Sequence, residues 1–199
     1  KALKAPIAAE KLYTILNKTD TYPFHIVSCT GKLEKEYNLE IAMRLNDLMH
    51  LMGLHTKMVR TSDISVYTNG ETIAAKKVSD LKERVRLVNE TENALLLSIH
   101  QNTFPDGRYS GPQVFYAKGN DQMAKHFQSA LNQNLCPSST RQAKPANGVF
   151  LMEHITAPGI LIECGFLSNA EEEAKLRSDA YQKKICCVIA STVCNFLDR

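Results

Sequence analysis

Two apolar patterns alternate along the chain, short continuous runs and longer stretches with helical spacing. LYTIL (12–16) is a run of the first kind and predicts a strand. Ile41, Leu45, Leu48 and Met52 follow at steps of 4, 3 and 4, which places them on one face of a helix that Gly53 should stop. HTKMVR (55–60) then reads as a strand. Residues 61–75 are polar and turn-rich, with Asn69-Gly70 among them, and form a loop or small insertion. Val78, Leu81, Val85 and Val88 mark a second helix ending near Asn93. ALLLSIH (94–100) is apolar without alternation, the pattern of a strand covered on both faces. GPQVFYAK (111–118) is a strand between two glycines, and a helix over 120–134 and a polar loop follow. VFLME (149–153) and GILIECGF (159–166) predict two more strands, and a helix from Asp179 to Leu197 closes the chain. Strands alternating with helices, and buried rather than alternating runs, indicate an α/β fold with a mostly parallel central sheet of about six strands flanked by helices. There is no internal repeat and no linker, so residues 1–199 are expected to form one domain.

Composition adds exclusions. Of 199 residues, 44% are hydrophobic and 23% charged, enough to bury a substantial core. A net charge of +3, spread along the chain, lacks the concentrated basic stripe of a nucleic-acid binder. No run reaches the roughly 18 apolar residues of a transmembrane segment. The opening KALKAP, which reads as the start of a trimmed chain, has no signal-peptide pattern. Six cysteines show neither CxxC spacing nor a disulfide framework. Cys186, Cys187 and Cys194, in ICCVIASTVCNF, read as small core residues.

Four polar residues stand out against this background. His25 lies nine positions before Glu34, across a polar turn. The pair is either two ligands of one metal or a structural imidazole and a helix-start carboxylate favoured by the helix dipole. His100 closes the run LLLSIH, and Glu163 lies inside ILIECGF. Both are placed where open α/β sheets gather ligands, at the carboxyl ends of strands. A carboxylate leaving a buried strand needs a cation, a metal or a pocket that raises its pKa. It is then either a structural partner of a buried arginine or a general acid/base. A helix-start Glu, a strand-end His and a strand-end Glu together have the parts of a hydrolytic zinc site. Cys164 with His100 as base is the competing chemistry. Alternation along the strand points Cys164 away from any site that Glu163 faces.

The phrases GKLEKEYNL (31–39), LLLSIHQN (95–102), SGPQVFY (110–116) and PGILIECGFLSNAEE (158–172) resemble the zinc-dependent N-acetylmuramoyl-L-alanine amidases. Smaller signals agree in order: Arg60-Thr61 with Asp63, LKERVRLVN (81–89) and Tyr181-Gln182. VSCTGKLEKEYNL and STRQAKPANGVFLMEH are most similar to the germination-specific, spore-cortex type. The resemblance implies a phosphorylase/hydrolase-like α/β domain that acts on peptidoglycan outside the cytoplasm, in the cell wall or spore cortex. It implies zinc as cofactor, Glu34 and His100 as zinc ligands and Glu163 as the catalytic proton carrier. Asn102 and Arg84 would be supports, and an activating protein partner would be compatible with it. In one respect the chain departs from the family pattern. The family's other zinc histidine, in a His-Gly-Gly turn, would fall at Thr19 or Asp20, and the chain contains no His-Gly-Gly. Residues 1–30 are thus atypical, and three accounts stay open. His25 or Asp20 replaces the missing ligand, the segment 1–30 is altered, or the domain is an impaired module that binds wall peptides or a partner without cleaving.

Overall fold

The computed structural model describes residues 26–197 and, for its backbone, the strand Tyr13–Asn17. In chain order the elements are β1 (Tyr13–Asn17), α1 (Glu34–Leu51), β2 (His55–Met58), α2 (Ile73–Asn89), β3 (Ala94–Asn102) and β4 (Gln113–Tyr116). They continue with α3 (Asp121–Leu135), β5 (Lys144–Pro145), α4 (Phe150–His154), β6 (Gly159–Phe166), α5 (Ala170–Arg177) and α6 (Asp179–Leu197). The strands form one six-stranded sheet in the order β2-β1-β3-β6-β4-β5. Pairing is parallel throughout β2, β1, β3 and β6, whereas β4 runs antiparallel to β6 and carries β5 parallel to itself. The sheet is therefore mostly parallel and six-stranded, as the sequence pattern indicates.

Helices cover both faces. On one, Tyr37, Ile41, Leu45 and Met49 of α1 pack with Phe127 and Leu131 of α3 and Ile185, Ile189 and Val193 of α6 against Leu95, Leu97, Ile99, Ile160 and Ile162. On the other, Val88 of α2 and Leu151 and Met152 of α4 meet Leu96 and Leu161. Because β3 and β6 have helices on both sides, every position from Ala94 to Ile99 is buried, which accounts for their non-alternating, mainly apolar runs, Ser98 being the one polar residue in this stretch. Gly53 follows the end of α1 with φ +77° and donates its N–H to the His50 carbonyl, the expected helix stop. Met52 is beyond the last turn and 44% exposed, so the buried stripe of α1 ends at Met49.

Several expectations are corrected. VFLME is not a strand. Adjacent Leu151 and Met152 are both buried, which a helical turn allows and an alternating strand does not, and the Glu153 carboxylate accepts from the Gly148 N–H at 2.6 Å. The edge position belongs to Lys144–Pro145 instead. In α2, Val78 is exposed and the buried positions are Ser79, Asp80, Arg84 and Val88. That helix turns a polar face inward because each group has a partner. Arg84 Nε donates to Asp80 at 2.5 Å, and the Asp80 carboxylate and Ser79 hydroxyl accept from the backbone N–H groups of Val66 and of Thr68 and Asn69. These bonds strap residues 66–69 to α2. Cys186 is buried, but Cys187 is exposed and Cys194 only partly covered, since the run ICCVIASTVCNF wraps around a helix with one face outward.

Candidate active site

His100 and Glu163 are register partners on β3 and β6, near the carboxyl ends of two parallel strands. They point to the same face, and Gln113 of β4 sits opposite Glu163 on its other side. The register shifts just beyond, between His100 and Asn102, so the strands splay where the polar groups begin. Glu34 reaches this point from the first turn of α1. Its Oε1 lies 3.1 Å from His100 Nδ1 and accepts from Asn38 Nδ2 at 2.8 Å and from the Gln101 N–H at 3.3 Å. Gln101 in turn donates to Asn38 at 3.2 Å. The start of α1 is itself anchored. Buried Arg60 donates to the Lys35 carbonyl at 3.0 Å, and Lys35 pairs with Asp63 at 2.5 Å. On the other side, the Glu173 carboxylate of α5 accepts from Thr30 and from Tyr37, holding the loop that leads into α1.

The two carboxylates experience opposite electrostatics. Burial alone would raise the Glu34 pKa, but the hydrogen bond and charge of His100, with the bonds from Asn38 and Gln101, outweigh it and hold the carboxyl below its usual range. Glu163 has no such support. Its Oε2 is buried without a hydrogen-bond partner among the described residues, and burial pushes its pKa up to about 7; His100 opposes this and Glu34 adds to it. An orphaned carboxylate oxygen at this depth is costly unless a group absent from the protein alone meets it.

The separation of the two donors suits zinc. Ligand bonds of about 2.0–2.1 Å in a tetrahedron put neighbouring donor atoms roughly 3.3 Å apart. The 3.1 Å between His100 Nδ1 and Glu34 Oε1 fits that edge. Among the described residues no third His, Cys, Asp or Glu joins them. His25, Thr19 and Asp20 lie outside the described residues. Of the expected supports, Asn102 follows the site on β3 and its carbonyl accepts from Leu167, while Arg84 pairs with Asp80 inside α2. Cys164 is 1% exposed, faces the core, and burial drives its thiol far above the usual range, which excludes it as a nucleophile.

Four residues that shape the site were not singled out in the sequence: Asn38, Gln101, Gln113 and Arg141. Asn38 follows Glu34 by one helical turn, a signal that was available. The other three are identified by packing. Arg141, in the loop before β5, donates to the Gln113 side chain at 3.4 Å and to the Ser110 carbonyl at 3.1 Å.

Comparisons with known proteins identify the family. Residues 25–195 match the family model described as N-acetylmuramoyl-L-alanine amidase. The germination-specific N-acetylmuramoyl-L-alanine amidase of Bacillus subtilis is 40% identical over 164 residues, 80% of this chain and 69% of that protein. The B. subtilis amidase LytC is 28% identical over 92% of this chain, which spans only 34% of that longer protein. Among solved structures, the CwlD amidase of Clostridioides difficile, determined in complex with the GerS lipoprotein, is 28% identical with a TM-score of 0.87 over 94% of this chain and 98% of that one. With a family match over most of its length and a relative this similar, the chain belongs to the N-acetylmuramoyl-L-alanine amidases.

Proposed function

We propose that this chain hydrolyses the amide between the lactyl group of N-acetylmuramic acid and the L-alanine of the peptidoglycan stem peptide, in the germination-specific setting of its B. subtilis relative. One observation carries the reading: Glu163, whose Oε2 is buried without a hydrogen-bond partner among the described residues, is paired across two strands with His100, which in turn lies 3.1 Å from Glu34. Glu34 and His100 would hold zinc, with a third donor from outside the described residues, His25 or Asp20. Zinc, when bound, would polarise the scissile carbonyl and bring the pKa of a coordinated water toward ~7. Glu163, with its pKa near neutrality, is suited both to take a proton from the attacking water and to return it to the departing alanine nitrogen. Asn38 and the Gln101 N–H fix the Glu34 carboxylate, so the pair does not reorganise as charge develops. A substrate of this kind places the reaction outside the cytoplasm, in cell wall or spore cortex. No described helix is long and apolar enough to cross a membrane. By analogy with the complex formed by the C. difficile relative, a protein partner acts with this chain.

The absence of His-Gly-Gly favours a second reading, a module that grips wall peptides or a partner without cleaving. Zinc content of the purified chain, with amide cleavage measured with and without chelator, separates the two. Stoichiometric zinc and chelator-sensitive cleavage are expected. No zinc and no cleavage at millimolar added zinc would leave only the binding module.

A further inference from the structure

Arg141 differs from most arginines of the chain. Arg44, Arg60, Arg84, Arg86 and Arg108 each pair with a carboxylate. The Arg141 guanidinium is held by neutral acceptors, the Ser110 carbonyl and the Gln113 amide oxygen, and lies over the Phe166 ring with 5.0 Å to the centroid. Among the described residues it has no acidic partner, and most of its five-donor fork is unused. Its neighbours place it beside the reacting groups: Gln113 is the register partner of Glu163, and Phe166 that of Asn102.

An aromatic lip adjoins it. Tyr109 lies 6.2 Å from Phe166 and 4.5 Å from Phe104, and both Tyr109 and Phe104 are nearly half exposed. The loop carrying them is pinned to the turn after β6. The Phe104 N–H donates to Ser168 at 3.0 Å, Asn169 donates to the Tyr109 carbonyl at 3.3 Å, and the Gly111 N–H donates to Glu172 at 2.8 Å. A guanidinium anchored without a counter-charge, next to exposed rings that do not need to reorganise, is preorganised for an anion on a partly apolar chain.

We propose that Arg141 is the receptor for a free carboxylate of the stem peptide, with Phe104 and Tyr109 as the wall along which that peptide lies. The inference rests on the amidase reading and extends it. Of the two parts joined by the scissile amide, the glycan is uncharged and the peptide carries the carboxylates, so the arginine side of the site is the leaving-group side.

The test is equilibrium binding of two muramoyl dipeptides to the chelator-treated protein, by calorimetry. Both carry the glutamate γ-carboxyl as its methylamide: one is N-acetylmuramoyl-L-alanyl-D-glutamate γ-methylamide with its α-carboxylate free, the other its α-carboxamide. The wild-type protein should bind the free acid about ten- to a hundredfold more tightly, the range of hydrogen bonds to a charged group. Arg141→Met should remove that preference and leave the carboxamide affinity unchanged. Tyr109→Ala should weaken both ligands alike. Equal affinities in the wild type, no binding of either ligand, or a preference that survives in Arg141→Met each overturns the proposal. Should Arg141→Met lose its cooperative melt, Arg141→Lys decides: it keeps the charge without the fork, and the preference must fall several-fold. Failure of the amidase reading gives a different result, no cleavage of either dipeptide with zinc present while the carboxylate preference in binding persists.

Discussion

The amino and carboxyl ends of the strand pair β3–β6 are built to different purposes. At the amino end Leu96 faces Gly159, the Leu96 N–H reaches the Pro158 carbonyl at 2.8 Å, and the Ala117 N–H reaches the Gly159 carbonyl at 3.1 Å. The packing there is tight enough that a Cβ on Gly159 would come within 2.5 Å of Ile155 Cδ1. At the carboxyl end the same two strands carry His100 and Glu163, and two buried side-chain oxygens, Gln101 Oε1 and Glu163 Oε2, lack partners among the described residues. One end contributes stability through close contact. The other spends some of it to keep polar groups undersatisfied and ready for substrate.

Substitutions at the two ends should therefore fail in different ways. Glu163→Ala is expected to lower amide cleavage by about 10²–10⁴-fold, the usual contribution of a positioned general acid/base, while zinc content stays the same. A rate equal to wild type would remove Glu163 from the proton-transfer role and erase the contrast. Gly159→Val, at the other end, must displace Ile155 and press on Leu96. Overpacking of this kind costs about 1–3 kcal/mol, read as a lower urea midpoint with unchanged zinc content. Full stability in that variant would mean that the amino end has slack.

The contrast also explains which parts were legible in the sequence. Runs buried on both faces can hold little but apolar residues, so β3 and β6 announced themselves, and a polar residue closing such a run drew attention to His100 and Glu163. Glu34 was readable because α1 has a regular apolar stripe and a glycine stop. The buried face of α2 was hidden because Ser79, Asp80 and Arg84 satisfy one another and the loop at 66–69, and pairing of that kind leaves no hydrophobic period. Helix α5 was missed although Asn169 caps it by accepting from the Glu171 and Glu172 N–H groups and three acidic residues fill its first turn. The antiparallel direction of β4 and the place of Arg141 beside Gln113 depend on chain pairing that no local pattern encodes.

A smaller effect sharpens the comparison without touching the chemistry. In the unfolded chain Glu163 titrates near its ordinary value of 4.5, and in the folded, metal-free protein burial raises this to about 7. Between these two values the folded state retains a proton that the unfolded state has released, so this group lowers stability as pH rises from about 4.5 to about 7 and adds nothing further above. Glu163→Gln removes the titration and keeps the shape. In chelator, its melting temperature should match wild type near pH 4.5, rise above it progressively up to pH 7, and keep a constant margin beyond. Gly159→Val should run parallel to wild type across the same range, because no titrating group has changed. A constant offset for Glu163→Gln at every pH would show that the carboxylate is solvated in the folded protein, and the carboxyl end would then bear no electrostatic cost that distinguishes it from the amino end.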